Sequence, residues 1–328
     1  MYYIFLIISL CFSTSCLAAS QAALPGKCLK GDCRNGRGML LMPDGDRYIG
    51  SFSKGLANGS GIVILKTGVT IKGVFLKGIS MGHGVKTWPD GSKYEGQFYN
   101  FLANGQGTKR LPNGSHWEGL WRNGVFYRGH GLLIGPSKRR YEGDYRHALF
   151  AGKGTLVKLN GDKYVGSFKD GKYNGTGKLI MTDGRIYVGK FKDGRYSGIG
   201  KLAFPNGTWY EGMFQKGKYE GRGQLTNIDG SKYKGDFKAG KMTGHGVLKM
   251  NNGAEYRGMF VNGKFQGHGL LTAKNGKRLE GDFVGGVFVE FSDHKAPRIL
   301  APTVFSLAVE ERLKPAAAGE RVVKKKDK

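Results

Sequence analysis

The sequence predicts an all-β protein, an elongated single-layer antiparallel sheet of stacked β-hairpins. Three observations predict it: an aromatic column with a 23-residue period, a glycine share more than double the usual one, and alternation of large residues with glycine. The column runs Phe52, Phe75, Phe98, Trp121, Tyr145, Phe168, Phe191, Phe214, Phe237, Phe260 and Phe283, and nine of its ten steps are 23 residues. Two residues before each member stands a glycine, and four before stands Tyr48, Ile71, Tyr94, Trp117, Tyr141, Tyr164, Tyr187, Tyr210, Tyr233, Tyr256 or Leu279. A G-x-G follows each unit but the last, as at Gly59 and Gly61 or Gly175 and Gly177.

Residues at alternate positions of a strand share a face, so each tyrosine, its glycine and its phenylalanine point the same way. The paired glycines, lacking Cβ, let the rings lie flat on the backbone. The expected core is therefore Tyr48, Phe52, Tyr94, Phe98, Tyr164, Phe168, Tyr187, Phe191, Tyr210, Phe214, Tyr233, Phe237, Tyr256 and Phe260. One hairpin cannot hide such rings, whereas stacked neighbours bury them continuously. About 22 strands at ~4.8 Å each would extend on the order of 100 Å.

The stretches YEGQFYNFLANGQG, YVGSFKDGKYNGTG and YEGMFQKGKYEGRG resemble the unit of the MORN family, the membrane occupation and recognition nexus repeat. The resemblance covers about eleven units from Cys28 to Phe291. It implies a scaffold or dimerisation module, and the family's name reflects a proposed membrane role. Between Trp117 and Tyr141 the step is 24 residues, the loop GPSKRR lacks N-G, and Ala148 replaces the turn glycine. A bulge or bend is expected from about Val125 to Phe150.

The organisation follows: residues 1–20 a signal peptide, 26–291 the array with an N-terminal Cys28/Cys33 cap, 292–315 a capping segment, and 316–328 a flexible basic tail. The first twenty residues hold no charge and carry an apolar run from Tyr2 to Phe12, as a secretion signal does, with an uncleaved anchor as the alternative. The expected location is secreted, periplasmic or at the cell surface. In such a compartment Cys28 and Cys33 are expected to form a disulfide across the first turn, the alternative being two separate thiols. Within the capping segment Thr303 reads as a helix cap and Pro315 as a stop, so a short helix is expected to cover the last strand.

Net charge is +27; the last 37 residues carry +4 and the first twenty none, so +23 belongs to the stretch between. Strong partners should be anionic. After the turn glycines of the later units come Lys172, Arg195, Lys218, Lys241 and Lys264, three of them followed by Tyr173, Tyr196 and Tyr219, a candidate ladder for anionic surfaces. The alternative is solvation of exposed turns. Earlier units carry Leu56, Ile79, Leu102 and Val125 there.

Other motifs carry less. Gly166 to Lys172 mimics a phosphate-binding loop, but Tyr173 stands where Ser or Thr must ligate the metal, in a hairpin rather than a strand-to-helix turn. His83, His130, His245 and His268 recur at the middle of G-x-G, and since even adjacent copies lie about 10 Å apart, no two of them can share a metal. Glu95, Glu118, Glu142, Glu211 and Glu280 read as solvated partners of nearby cations. No enzyme activity, cofactor or metal is expected. The function expected is an exported scaffold that binds protein partners or itself, with peripheral binding of anionic lipid surfaces as the alternative. Nucleic acid is a poor third, given export.

Overall fold

The computed structural model describes residues 23–290, apart from 138, together with 298–299. Every element there is a β-strand. The expected signal, capping helix and basic tail lie outside the described residues. The chain divides into two compact units, meeting in sequence at Leu132 and Leu133.

The N-terminal unit comprises β1 (Lys27–Gly31), β2 (Arg37–Leu41), β3 (Arg47–Ser53), β4 (Leu56–Ile64), β5 (Thr70–Leu76), β6 (Ile79–Thr87), β7 (Lys93–Tyr99), β8 (Leu102–Arg110), β9 (His116–Arg122) and β10 (Val125–Ile134). The C-terminal unit begins with β11 (Arg140–Arg146), β12 (Leu149–Val157), β13 (Lys163–Lys169), β14 (Lys172–Ile180), β15 (Ile186–Lys192), β16 (Arg195–Ala203), β17 (Trp209–Gln215) and β18 (Lys218–Thr226). It continues through β19 (Lys232–Lys238), β20 (Lys241–Lys249), β21 (Glu255–Val261), β22 (Lys264–Thr272), β23 (Arg278–Val284), β24 (Val287–Glu290) and β25 (Arg298–Ile299). Consecutive strands pair antiparallel within each unit, as in β13 with β14 and β14 with β15. β25 adds to β24 through Val289 opposite Ile299, so strand pairing extends past Phe291 into the expected capping segment.

One register organises each unit. In the C-terminal unit Gly154, Gly166, Gly177, Gly189, Gly200 and Gly212 stand directly opposite one another, strand after strand, and the row continues to Gly281. The N-terminal unit has its own row, which includes Gly50, Gly61, Gly73, Gly84 and Gly96. Where the repeat carries tyrosine, its ring lies across the glycine pair: a Cβ on Gly177 would sit 2.4 Å from the Tyr164 Oη and 2.6 Å from its ring. Tyr48, Tyr164, Tyr187, Tyr210, Tyr233 and Tyr256 are 0 % exposed, although among the described residues no second layer of secondary structure lies over the sheet.

The two glycines of G-x-G have different jobs, contrary to the expectation that both lie under rings. Within each regular hairpin the register slips just after the glycine pair: Gly50 faces Gly61 but Phe52 faces Ala57, leaving Asn58 to Ser60 opposite Ser51 alone. The first glycine sits inside this bulge at positive φ, +100° at Gly59 and +77° at Gly175, where a side chain is strained. Only the second lies under a ring. The bulge also frees a carbonyl for the tyrosine: Tyr48 donates to Ser51 O at 3.0 Å and Tyr164 to Ser167 O at 2.9 Å. These core phenols thereby remain hydrogen-bonded, whereas the buried Tyr173 hydroxyl has no hydrogen-bond partner among the described residues.

Each hairpin closes with a two-residue turn of positive φ, Lys54 and Gly55 or Asp170 and Gly171, the type I′ geometry that matches strand twist. Ala148 (φ +59°) and Phe101 (φ +65°) occupy the second turn position without being glycine. Successive turns are tied together, as Gly194 N–H donates to Tyr173 O at 2.9 Å and Gly217 N–H to Tyr196 O at 3.0 Å.

The irregular unit behaves as its spacing predicted. Between β9 and β10 the slip is one residue, so Gly129, the first of its G-x-G, faces Gly119, while Gly131 faces Trp117. A Cβ on Gly119 would first meet the backbone of Arg128 and Gly129, not a ring. At the N-terminal edge Cys28 and Cys33 form a disulfide, but Cys33 lies within the β1–β2 turn and Cys28 faces Leu40, so the bond ties β1 to the turn instead of spanning the turn between the strands.

Candidate interaction surface

The core rings interlock along the array. Tyr164 meets its own Phe168 edge-on with centroids 5.0 Å apart and the next repeat's Phe191 at 5.1 Å. In the C-terminal unit a second ring lies on top: Tyr173 over Tyr164 at 3.8 Å, Tyr196 over Tyr187 at 3.8 Å, and Tyr219 over Tyr210 at 3.7 Å, all within 15° of parallel. Phe150 and Phe265 cover Tyr141 and Tyr256 in the same way. Burial drives the phenol pKa up to about 12 at Tyr48, Tyr94, Tyr164, Tyr196, Tyr219 and Tyr256.

This corrects one sequence-based expectation. Tyr173, Tyr196 and Tyr219 do not accompany the basic ladder as surface groups. They turn to the ring face as the lid of the core, and Tyr173 is buried. Lys172, Arg195, Lys218, Lys241 and Lys264 are all exposed, each at the first position of its strand. They pair across the turn with Lys169, Lys192, Gln215, Lys238 and Val261. Strand alternation sets these pairs on the face away from the rings. Three of the five rungs are thus double cations, which the sequence reading missed although Lys169, Lys192 and Lys238 follow the aromatic column directly.

The ring-free face also holds an apolar cluster that sequence reasoning did not single out. Ile199 stands opposite Met213, and Ile180 opposite Ile186. Val188 lies between Lys178 and Lys201. Ile199 is 66 % exposed, and Val165, Ile180, Val188 and Met213 are exposed with it. The available signal was the variable position on either side of the repeat glycine, where other units carry Glu, Lys or Asp. Lys201 rests 4.3 Å from the Trp209 ring centre and 3.3 Å from Glu211.

The repeated carboxylates are solvated ion-pair partners. Lys93 reaches Glu95 at 3.0 Å and Arg140 reaches Glu142 at 2.7 Å, all four half exposed, so each pair contributes little. Glu280 instead lies 3.7 Å from His268. Among the described residues no group of three or more His, Cys, Asp or Glu is arranged to hold a metal, and no helix is long and apolar enough to cross a membrane.

A glycine row roofed by interlocked rings, repeated hairpin after hairpin, defines a β-repeat protein. The MORN repeat family model matches nine segments, 48–70, 72–93, 94–116, 141–163, 164–184, 187–209, 210–232, 233–255 and 256–278. The chain belongs to the MORN repeat family. The unmatched interval 117–140 is the irregular unit with the one-residue slip. No curated protein matches the chain. Among solved structures it is similar to the TCP domain of Drosophila melanogaster SAS-4 in complex with a proline-rich motif of Ana2, at 13 % identity, covering 47 % of this chain and 85 % of that one with a TM-score of 0.30. The TCP10 domain of Danio rerio CPAP is 11 % identical, with 75 % and 99 % covered and a TM-score of 0.22. A catalytically inactive virginiamycin B lyase from Staphylococcus aureus is 11 % identical, with 75 % and 80 % covered and a TM-score of 0.13. Likenesses at that level carry no conclusion about what this chain does.

Proposed function

We propose that the chain is a non-catalytic scaffold working outside the cytoplasm, where a protein partner or a second copy docks on the ring-free face of the C-terminal unit. The observation that carries this reading is the exposed apolar set of Val165, Ile180, Val188, Ile199 and Met213, held in register on the sheet and interleaved with Lys178, Lys190 and Lys201. Exposed apolar clusters with a polar rim characterise contact sites. The core rings cannot serve, because they are consumed in covering one another. Affinity capture of the mature protein from its native compartment, with wild type beside Ile199→Lys/Met213→Lys, tests it. Partner or self-association should fall at least about tenfold in the variant; capture of no macromolecule by wild type removes the reading. Export has its own check: N-terminal sequencing of the natural protein should begin near Gln21.

A second reading is peripheral binding to anionic lipid surfaces, and the double cations of the turn ladder favour it. Each cation near such a surface contributes on the order of 1 kcal/mol, screened by salt. Liposome co-sedimentation at two ionic strengths, with Lys172, Arg195, Lys218, Lys241 and Lys264 changed to Ser, decides it. Binding unaffected by the changes excludes the ladder.

A further inference from the structure

Tyr94 stands between Lys86 on β6 and Lys109 on β8, its direct partners on either side. In the C-terminal unit that relation belongs to leucine: Leu156 and Leu179 flank Tyr164, Leu179 and Leu202 flank Tyr187, and Leu248 and Leu271 flank Tyr256. On the ring face of the N-terminal unit, therefore, two lysines stand where the repeat elsewhere places apolar core.

Both are half-buried, and their ammonium groups lie 5.2 and 4.7 Å from the centre of the Trp88 ring, hence no more than about 10 Å apart. Trp88 holds both heads on one aromatic platform. Burial, and then the charge of Lys109, hold the Lys86 pKa below the usual lysine range; burial does the same to Lys109, with Asp90 opposing. The Asp90 carboxylate already accepts from Ser92 N–H and Ser92 Oγ. Among the described residues no carboxylate lies within ion-pair distance of either lysine head. Two like charges are thus gathered on a half-dry aromatic surface with only the charge of Asp90, beyond ion-pair distance, to offset them, an arrangement that weakens the fold and that an external anion would relieve.

We propose that Lys86, Lys109 and Trp88 form a docking site for an acidic segment of a protein partner, carboxylates at alternate positions of the extended segment meeting the two ammonium groups over the Trp88 ring. Two separate ammonium heads favour a peptide with two carboxylates over a single phosphate. The lysines are rooted two strand spacings apart, about 10 Å, and an extended chain sets alternate side chains ~7 Å apart on one side. Lysine meets a lone phosphate as a point charge without a geometric fork. The site shares no residue with the Ile199 cluster and does not depend on it.

Fluorescence anisotropy of the full mature chain with a labelled peptide of alternating Glu and Leu, beside a twin carrying Gln for Glu, tests the site. Wild type should bind the Glu peptide at least about tenfold more tightly than its twin. Lys86→Leu/Lys109→Leu restores the residue type of the other repeats, so it should fold with a raised thermal midpoint and lose that preference. Lys172→Ser/Lys218→Ser should keep it within about twofold. The proposal is overturned if the leucine variant binds like wild type, if the ladder variant loses as much, or if inorganic phosphate displaces the peptide at comparable concentration. None of these outcomes touches the scaffold reading, which stands or falls with Ile199→Lys/Met213→Lys.

Discussion

The ring of Tyr173 lies parallel over the ring of Tyr164 at 3.8 Å, and Tyr164 lies in turn on the backbone of Gly166 and Gly177. Three layers, glycine, core ring and lid ring, give a one-sheet protein its dry interior. The N-terminal unit builds no such lid at Ala57, Ser80 and Ala103, which face Phe52, Phe75 and Phe98 as Tyr173 faces Phe168.

Removing one lid exposes the ring beneath. Tyr173→Ala should destabilise its neighbourhood by about 3 kcal/mol, from the burial and stacking lost. Native-state hydrogen exchange should show lost protection in β13 to β15, with distant repeats unchanged because a repeat array opens locally. Uniform loss along the chain would contradict this layering.

Glycine substitutions should separate into two classes. Gly177→Ala drives a methyl into the Tyr164 ring and should cost about 3 kcal/mol or more. Gly171→Ala meets nothing within 4 Å and strains only its φ of +76°, a cost of about 1 kcal/mol. Ala148→Gly should restore about 1 kcal/mol by relieving φ +59°. Denaturant midpoints read all three, and equal costs for Gly177→Ala and Gly171→Ala would refute the ring-on-glycine arrangement.

Alkaline pH should unfold the array. The folded-state pKa of Tyr48, Tyr94, Tyr164 and Tyr256 is raised from 10 to about 12, so the folded state holds the phenol proton more tightly than the unfolded state. That stability is fully present below pH 10 and is lost as pH rises through about 12. Tyrosinate absorbance and near-ultraviolet circular dichroism should change together in that window. Ionisation completed near pH 10 with the fold intact would show the rings to be accessible.

The N-terminal edge should fray on reduction. The Cys28–Cys33 disulfide closes a short loop, whose cross-link is worth about 2 kcal/mol. Cys28→Ser/Cys33→Ser should raise exchange in β1 and β2 and leave the C-terminal unit unaltered. Mass spectrometry of the natural protein should find the pair oxidised.

What recurs along the chain was legible in it. The period places Tyr164, Phe168 and Gly166 in every copy, and the broken step at Trp117 marks where pairing slips by one residue. Sequence alone thus determined the strand order within each unit, the glycine row and the core rings, because a fixed period with period-2 alternation leaves side-by-side hairpins few other registers. Which groups share a face and which are covered was decided only in three dimensions. The bulge at Gly175 sends Tyr173 onto Tyr164 and leaves Lys172 on the other side, so neighbours in sequence part company. Lys86 and Lys109 lie 23 residues apart, and only pairing through Tyr94 brings their charges to one tryptophan. Burial and charge proximity depend on contacts across strands, and a linear pattern specifies those only after the register of each bulge is known.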